Sequence, residues 1–155
     1  MRILGIDPAL TKLGWGIIES DGSKIHYLAS GQITTKANNS MEMRLGYITS
    51  SIRKIITEYK PSAISMEITF LNNNAVSSLK LAYVRGAIMS LIGELNIPYY
   101  EYSPNQIKKT LVGVGHAEKQ QIKSMIQVIL SGSLSEVSFD ESDALATAYT
   151  CFAHS

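Results

Sequence analysis

Cysteine is nearly absent from the chain, and the single Cys151 excludes an internal disulfide framework and fits a reducing compartment. It lies in an apolar C-terminal stretch, where a lone thiol reads as a small buried hydrophobe. Charge is also sparse: charged residues make up 17% and the formal net charge is +1. Bulk charge therefore announces no nucleic-acid partner, and a DNA binder of this composition has to gather its positive charge locally, over the phosphates. No uninterrupted apolar stretch is long enough to span a bilayer. Met1-Arg2 runs directly into a short strand-like segment, without the apolar region and cleavage site of a signal peptide. The expectation is a soluble cytoplasmic protein with no membrane partner.

What is present is a 155-residue chain, 45% hydrophobic, long enough to bury a proper core. No internal repeat, low-complexity tract or linker divides it, so residues 1–155 are expected to form a single domain. Arg2 to Ile6 is a short apolar run that Asp7-Pro8 brings to a stop. Leu13 to Glu19, the Asp21-Gly22 turn signal and alternating Ile25 to Thr35 complete three strands joined by short turns, an antiparallel meander. Leu45, Ile48, Ile52, Ile55 and Ile56 then recur at helical spacing, which predicts an amphipathic helix over Met41 to Tyr59 with Pro61 beyond it. Ala63 to Met66 reads as a fourth strand stopping at Glu67, followed by a polar stretch and a long helix to about Leu95. Ile97 to Tyr102 is the fifth strand. Helices are expected over Pro104 to about Leu111, Ala117 to Leu130 and Asp140 to Phe152. Strand four, reached by a right-handed helical crossover, should lie parallel to strand one. The fold class is α/β: a mixed five-stranded sheet with helices on both faces.

Ligands of such sheets gather at the carboxyl ends of the parallel strands, where Asp7 and Glu67 both sit. Neighbouring strands lie about 4.8 Å apart, so the two carboxylates face one small volume. They repel unless a cation lies between them, and magnesium, a hard ion preferring oxygen ligands, suits that place. Asp140 and Asp143 form a second pair, three apart on one helix face. That pair has a competing structural explanation: Asp140 as N-cap, Asp143 at the capping-box N3 position and Phe139 before the cap. Each acid alone is weak evidence, since an Asp before Pro is commonly a turn residue and a Glu after a short strand is commonly solvated.

The segment Ile3-Leu4-Gly5-Ile6-Asp7-Pro8 resembles the opening of the RuvC family of Holliday junction resolvases. So do Met66-Glu67 with Phe70 and Asn74, Ser78-Leu79-Lys80-Leu81 leading to Arg85-Gly86, and Tyr100-Glu101-Tyr102. The match continues through Gln106-Ile107-Lys108, Val112-Gly113-Val114-Gly115 and Ala117-Glu118-Lys119, and closes with Asp140-Glu141-Ser142-Asp143-Ala144-Leu145-Ala146. These motifs fall in family order over nearly the whole chain. The resemblance implies an RNase H-like fold and a homodimer that nicks two opposing strands of a four-way DNA junction. It implies a branch-migration helicase complex as partner and a role in homologous recombination and DNA repair. It also implies that Asp7, Glu67, Asp140 and Asp143 hold Mg2+, two ions per site with Mn2+ as a substitute. Two-metal hydrolysis activates the attacking water and stabilises the leaving oxygen. Departures from the family pattern are Ala9, where glycine is common after Asp-Pro, Ile68 after Glu67, and an end at Ser155 without a basic tail.

Phe70, three residues beyond Glu67, reads either as a core aromatic anchoring its loop or as a wedge against bases at the crossover, and the resemblance favours the second. The resemblance likewise assigns Asn74, Lys108 and Lys119 to DNA contact. Lys108, Lys109, Lys119 and Lys123 supply local positive charge, although a solvated helical face would look the same. Gly113 and Gly115 ahead of a helix start read either as a phosphate-binding turn or as an ordinary helix–helix connection. Lys119 in a first helical turn opposes the helix dipole, which points to a functional reason. His26, His116 and His154 have no neighbours suggesting zinc. The long helix before Leu95 is apolar on more than one side, and its Ala82, Gly86 and Ala87 would admit a close dimer contact. Two rival functions are a non-catalytic junction-binding module and an actin- or sugar-kinase-like ATPase fragment. The latter needs glycine-rich phosphate loops and a second domain. Incubation with a synthetic four-way junction and magnesium separates all three.

Overall fold

The computed structural model describes residues 1–70, 72–130 and 136–155. Its element order is β1 (Arg2–Asp7), β2 (Lys12–Ser20), β3 (Ile25–Thr34), α1 (Met41–Tyr59), β4 (Ala63–Glu67), α2 (Ala75–Leu95), β5 (Tyr99–Tyr102), α3 (Pro104–Val112), α4 (Lys119–Ile129) and α5 (Phe139–Ala153). The sheet order is β3-β2-β1-β4-β5. β1, β2 and β3 form the expected antiparallel meander, while β4 pairs parallel to β1 and β5 parallel to β4.

Side chains alternate across a strand, and the two cores follow that alternation. Leu4 and Ile6 of β1, Ile64 and Met66 of β4, and Leu13 and Ile17 of β2 meet Ile48, Ile52, Val84 and Ile88 of α1 and α2. Ile3, Ala63 and Ile18 face the opposite way, against Leu145 and Ala148 of α5 and Ile122 and Ile126 of α4. Helices thus cover both faces. Counting by twos from Ile3 and Ala63 puts Asp7 and Glu67 on the α5 side of the sheet. This parity brings the strand-end acids to the helix that carries the other two.

Boundary differences have local causes. β5 starts at Tyr99 because Pro98 has no N–H to offer the ladder, and the Ile97 N–H turns back to the Ile92 carbonyl at 3.3 Å. α1 closes on Lys60 in the left-handed region (φ 49°), with Pro61 next. α4 begins at Lys119, two residues later than expected, because Glu118 occupies the N-cap and the Gln121 side chain accepts its N–H at 2.8 Å. α5 begins at Phe139, because Ser138 is its N-cap.

Candidate active site

Three elements deliver the four acids. Asp7 ends β1, Glu67 ends β4, and Asp140 and Asp143 lie in the first turns of α5. The β1–β4 register pairs Ile6 with Met66, so Asp7 and Glu67 leave the sheet side by side. α5 reaches them because the sheet beneath it is stripped of side chains. Gly5, Gly14 and Gly16 are cross-strand neighbours of β1 and β2 on the α5 side. A Cβ on Gly5 would lie 2.8 Å from the Ala148 nitrogen and nearer still to the Ala144 carbonyl oxygen. One on Gly14 would lie 3.0 Å from the Asp140 Cβ and nearer still to the Asp140 carbonyl. Buried Ala144 and Ala148 complete the close approach from the helix side.

The capping explanation for Asp140 and Asp143 is displaced by two residues. Ser138 Oγ accepts from the Glu141 N–H at 3.2 Å, and Glu141 Oε2 accepts from the Ser138 N–H at 2.8 Å, a complete capping box. Glu141 Oε1 also accepts from Ser30 Oγ at 2.9 Å, so its carboxylate is fully engaged away from the site. The two aspartates are left to face Asp7 and Glu67.

Electrostatics records the convergence. Burial, then the charges of Asp143, Glu67 and Asp140, push the Asp7 carboxyl up to about 8, against a smaller downward pull from Lys119. Burial raises Asp143 to about 6, with Lys119 pulling down, Asp140 pushing up and Lys108 pulling down. Glu67 is raised by burial and by Asp143, with Lys108, Lys119 and Arg85 opposing. The Lys119 ammonium lies 3.9 Å from Asp143 Oδ2, which explains a cation in the first turn of α4. Among the described residues no three His, Cys, Asp or Glu side chains form a closed ligand set. The all-oxygen, net-negative donor set of the four acids fits a hard divalent cation.

Neighbours invisible as motifs hold the acids in place. Gln32 of β3 donates through Nε2 to Asp140 Oδ2 and to Ser138 Oγ, both at 3.1 Å. Arg85 of α2 donates to the Glu67 carbonyl oxygen and to Glu101, which also accepts from the Tyr99 hydroxyl at 2.6 Å. Burial and that bond to Glu101 drive the Tyr99 phenol upward.

Of the expected DNA contacts, Lys108 and Lys119 lie close enough to Glu67 and Asp143 to bias their protonation. Phe70 is 68% exposed, which removes the core-aromatic reading. It borders a groove of about 300 Å³ with Asn72, Ser78, Arg85 and Met89. Asn74 is the N-cap of α2: its Oδ1 accepts from the Ser77 N–H at 3.0 Å. Gly113 does not open a helix. It closes α3 in the left-handed region (φ 78°), its N–H bonded to the Lys109 carbonyl at 2.9 Å. Lys123 lies 5.2 Å from the centre of the Phe139 ring, a cation–π contact.

The family model described as crossover junction endodeoxyribonuclease RuvC matches residues 3–151. The chain belongs to the RuvC family. The crossover junction endodeoxyribonuclease RuvC of Rickettsia felis is 51% identical over 151 residues, 97% of each chain. The RuvC structure from Thermus thermophilus aligns over 97% of this chain and 92% of its own, at 30% identity and a TM-score of 0.86. The same protein in complex with Holliday junction substrate aligns at 26% identity and a TM-score of 0.87. The RNase H-like architecture expected of a RuvC protein is therefore the one this chain adopts.

Proposed function

We propose that residues 1–155 act as a single nuclease domain that resolves Holliday junctions by symmetric, paired nicking of two opposing strands. One observation carries the reading: four carboxylates from three elements, Asp7 of β1, Glu67 of β4 and Asp140 and Asp143 of α5, come together in one half-buried place, where burial and then their mutual charge raise the Asp7 carboxyl. Nothing in the core needs that charge. Asp7, Glu67, Asp140 and Asp143 would hold Mg2+, two ions per site, with Mn2+ able to replace it. Held by these acids, such ions would supply activation of the attacking water and charge stabilisation of the leaving oxygen of the phosphodiester. Asp7, at the end of a central strand between the other acids, is positioned to bridge both sides of the site. Gln32 fixes the Asp140 carboxylate, and Arg85 anchors the main chain of Glu67. Lys119 and Lys108, beside the acids, would offset phosphate charge during attack. Phe70 would stack at the crossover, and the side-chain amide nitrogen of Asn74 would face the strand nearby.

Two cuts related by symmetry call for two copies of the site, and α2 supports a two-fold dimer. It buries Val84, Ile88, Leu91 and Ile92 against the sheet and leaves Val76, Leu79, Tyr83 and Met89 exposed. By length and composition α2 would also pass as a membrane span. Lys80 and Arg85, and the use of Arg85 at the site, favour a protein partner for its outer face. Family membership supports, as part of this proposal, cytoplasmic action in recombination and repair beside a branch-migration helicase.

The test is a synthetic four-way junction incubated with the protein and Mg2+. Paired nicks at symmetric positions are expected, and Asp7→Asn should abolish them while leaving junction binding largely intact. Magnesium-dependent nicking by Asp7→Asn would sink the proposal. A monomer in sedimentation at micromolar concentration would remove the dimer.

A further inference from the structure

Arg44 of α1 is a buried cation without an acid. It is 7% exposed, and among the described residues it makes no ion pair. Nε donates to Thr35 Oγ1 at 2.9 Å and Nη2 to Thr11 Oγ1 at 3.1 Å. A guanidinium carries five N–H donors, and these two neutral acceptors leave Nη1 unused. Ser65 Oγ is the one fully buried side-chain polar atom without a partner among the described residues, so Nη1 is not sealed in the core. Burying a charge against hydroxyls alone is costly, and here the open donor has somewhere to reach.

Arg44 borders a cavity of about 520 Å³ lined also by Thr11, Lys12, Lys80 and Asp140. The cavity is therefore lined by one acid of the active site and by three cations, of which Lys12 and Lys80 are exposed. Its floor includes Pro8 and Ala9, which follow Asp7 directly. A strand whose reacting phosphate sits on the four acids needs a place for the next negative charge along its backbone. The cationic end of this cavity, not the acidic one, is such a place.

We propose that Arg44, Thr11, Lys12 and Lys80 form a subsite for a backbone phosphate of DNA flanking the one that is cut. The proposal rests on the junction-nicking function above. The planar guanidinium suits a phosphate oxygen pair, Thr11 and Thr35 fix its plane, and the two lysines add unlocalised charge. Such a contact sets the register of the strand over the acids and carries no sequence information.

The experiment measures junction affinity against salt, without divalent cation, for the wild type, Arg44→Gln, Lys80→Ala and the pair Lys12→Ala with Lys80→Ala. A lost phosphate contact should flatten the slope of log K against log[salt] by about 0.9. Lys80→Ala, at an exposed position, should do so without lowering Tm. A scan of single neutral methylphosphonates should find a position that weakens the wild type and adds nothing to Arg44→Gln. Unchanged slopes in all variants, with Arg44→Gln only melting earlier, would make the arginine a staple between Thr11 and Thr35 and overturn the subsite. So would methylphosphonate losses equal in wild type and Arg44→Gln at every position. Nicking by the wild type on the same junction, assayed in parallel, separates the claims. Normal nicking with unchanged slopes ends the subsite alone, whereas a wild type that neither binds nor nicks ends both.

Discussion

A methyl group added at Gly14 should damage the active site without replacing any acid. Gly14 lies opposite Asp7 in the β1–β2 ladder and directly under the backbone of Asp140. An alanine Cβ there would collide with the Asp140 carbonyl and lie 3.0 Å from the Asp140 Cβ. Ordinary contact of about 3.5 Å then requires the first turn of α5 to retreat on the order of 1 Å. The obstacle is backbone on both sides, so no rotamer relieves it, and overpacking of this kind costs about 1–3 kcal/mol. At about 2–4 °C per kcal/mol for a chain of this size, Tm should fall by several degrees and the protein should remain folded at 25 °C. Activity should suffer more, because a 1 Å misplacement of Asp140 and Asp143 relative to Asp7 can cost about a hundredfold in rate. Single-turnover nicking of a synthetic junction reads the rate, and thermal melting reads the stability. Gly46→Ala is the control: a Cβ there meets nothing within 4 Å, and removing a glycine from a helix should stabilise by about 1 kcal/mol. Gly14→Ala with wild-type melting and nicking would refute the claim that α5 sits on bare sheet.

Other outcomes follow from the same geometry. Without divalent cation, folded Asp7 keeps a proton that unfolded Asp7 has released, between 3.8 and about 8. Stability should therefore be greatest at the acid end of that window and fall as pH rises through it, by at most about 1.4 kcal/mol per pH unit; urea midpoints from pH 5 to 8 should show the slope, and Asp7→Asn or saturating Mg2+ should flatten it. Arg85→Met frees the Glu67 carbonyl and leaves Glu101 without its cation, so the Mg2+ needed for half-maximal nicking should rise at least tenfold, and an unchanged Mg2+ titration would dismiss the anchoring role. Phe70→Ala should slow nicking with little change in Tm, since the ring is already 68% exposed; a large loss of Tm at normal activity would return the ring to a structural role.

The elements and their order were readable because each rests on local periodicity. The isoleucine spacing of α1 and the turn at Asp21-Gly22 need no tertiary information, and both stand where the sequence puts them. Asp7 and Glu67 were readable because a parallel crossover forces strand ends together. Contacts made only by folding were not readable. Gln32 meets Asp140 across 108 positions of chain and Arg85 meets Glu67 across 18, with no spacing rule for either pair. The glycines at 14 and 16 were visible in the second strand, but their purpose depends on which helix lies above them.

The start of α5 shows how a motif can be read correctly and explained wrongly. Asp140-Glu141-Ser142-Asp143 holds three acids, and helix logic needs one of them near the N-terminus. Assigning that need to Asp140 and Asp143 makes capping and ion binding compete for the same side chains. Ser138 and Glu141 discharge it instead, with Ser30 holding the far oxygen of Glu141. Glu141 thus lies on one side of the helix, bonded to the cap and to β3. Asp140 and Asp143, three apart, share the other. The stabilising acid and the two site acids are separated by helical geometry within a single turn. Placing β3 beneath one side of that turn and Asp7 beneath the other is the work of the β1–β2–β3 meander. The three antiparallel strands of the five-stranded sheet therefore also decide which carboxylates of that turn are left facing Asp7.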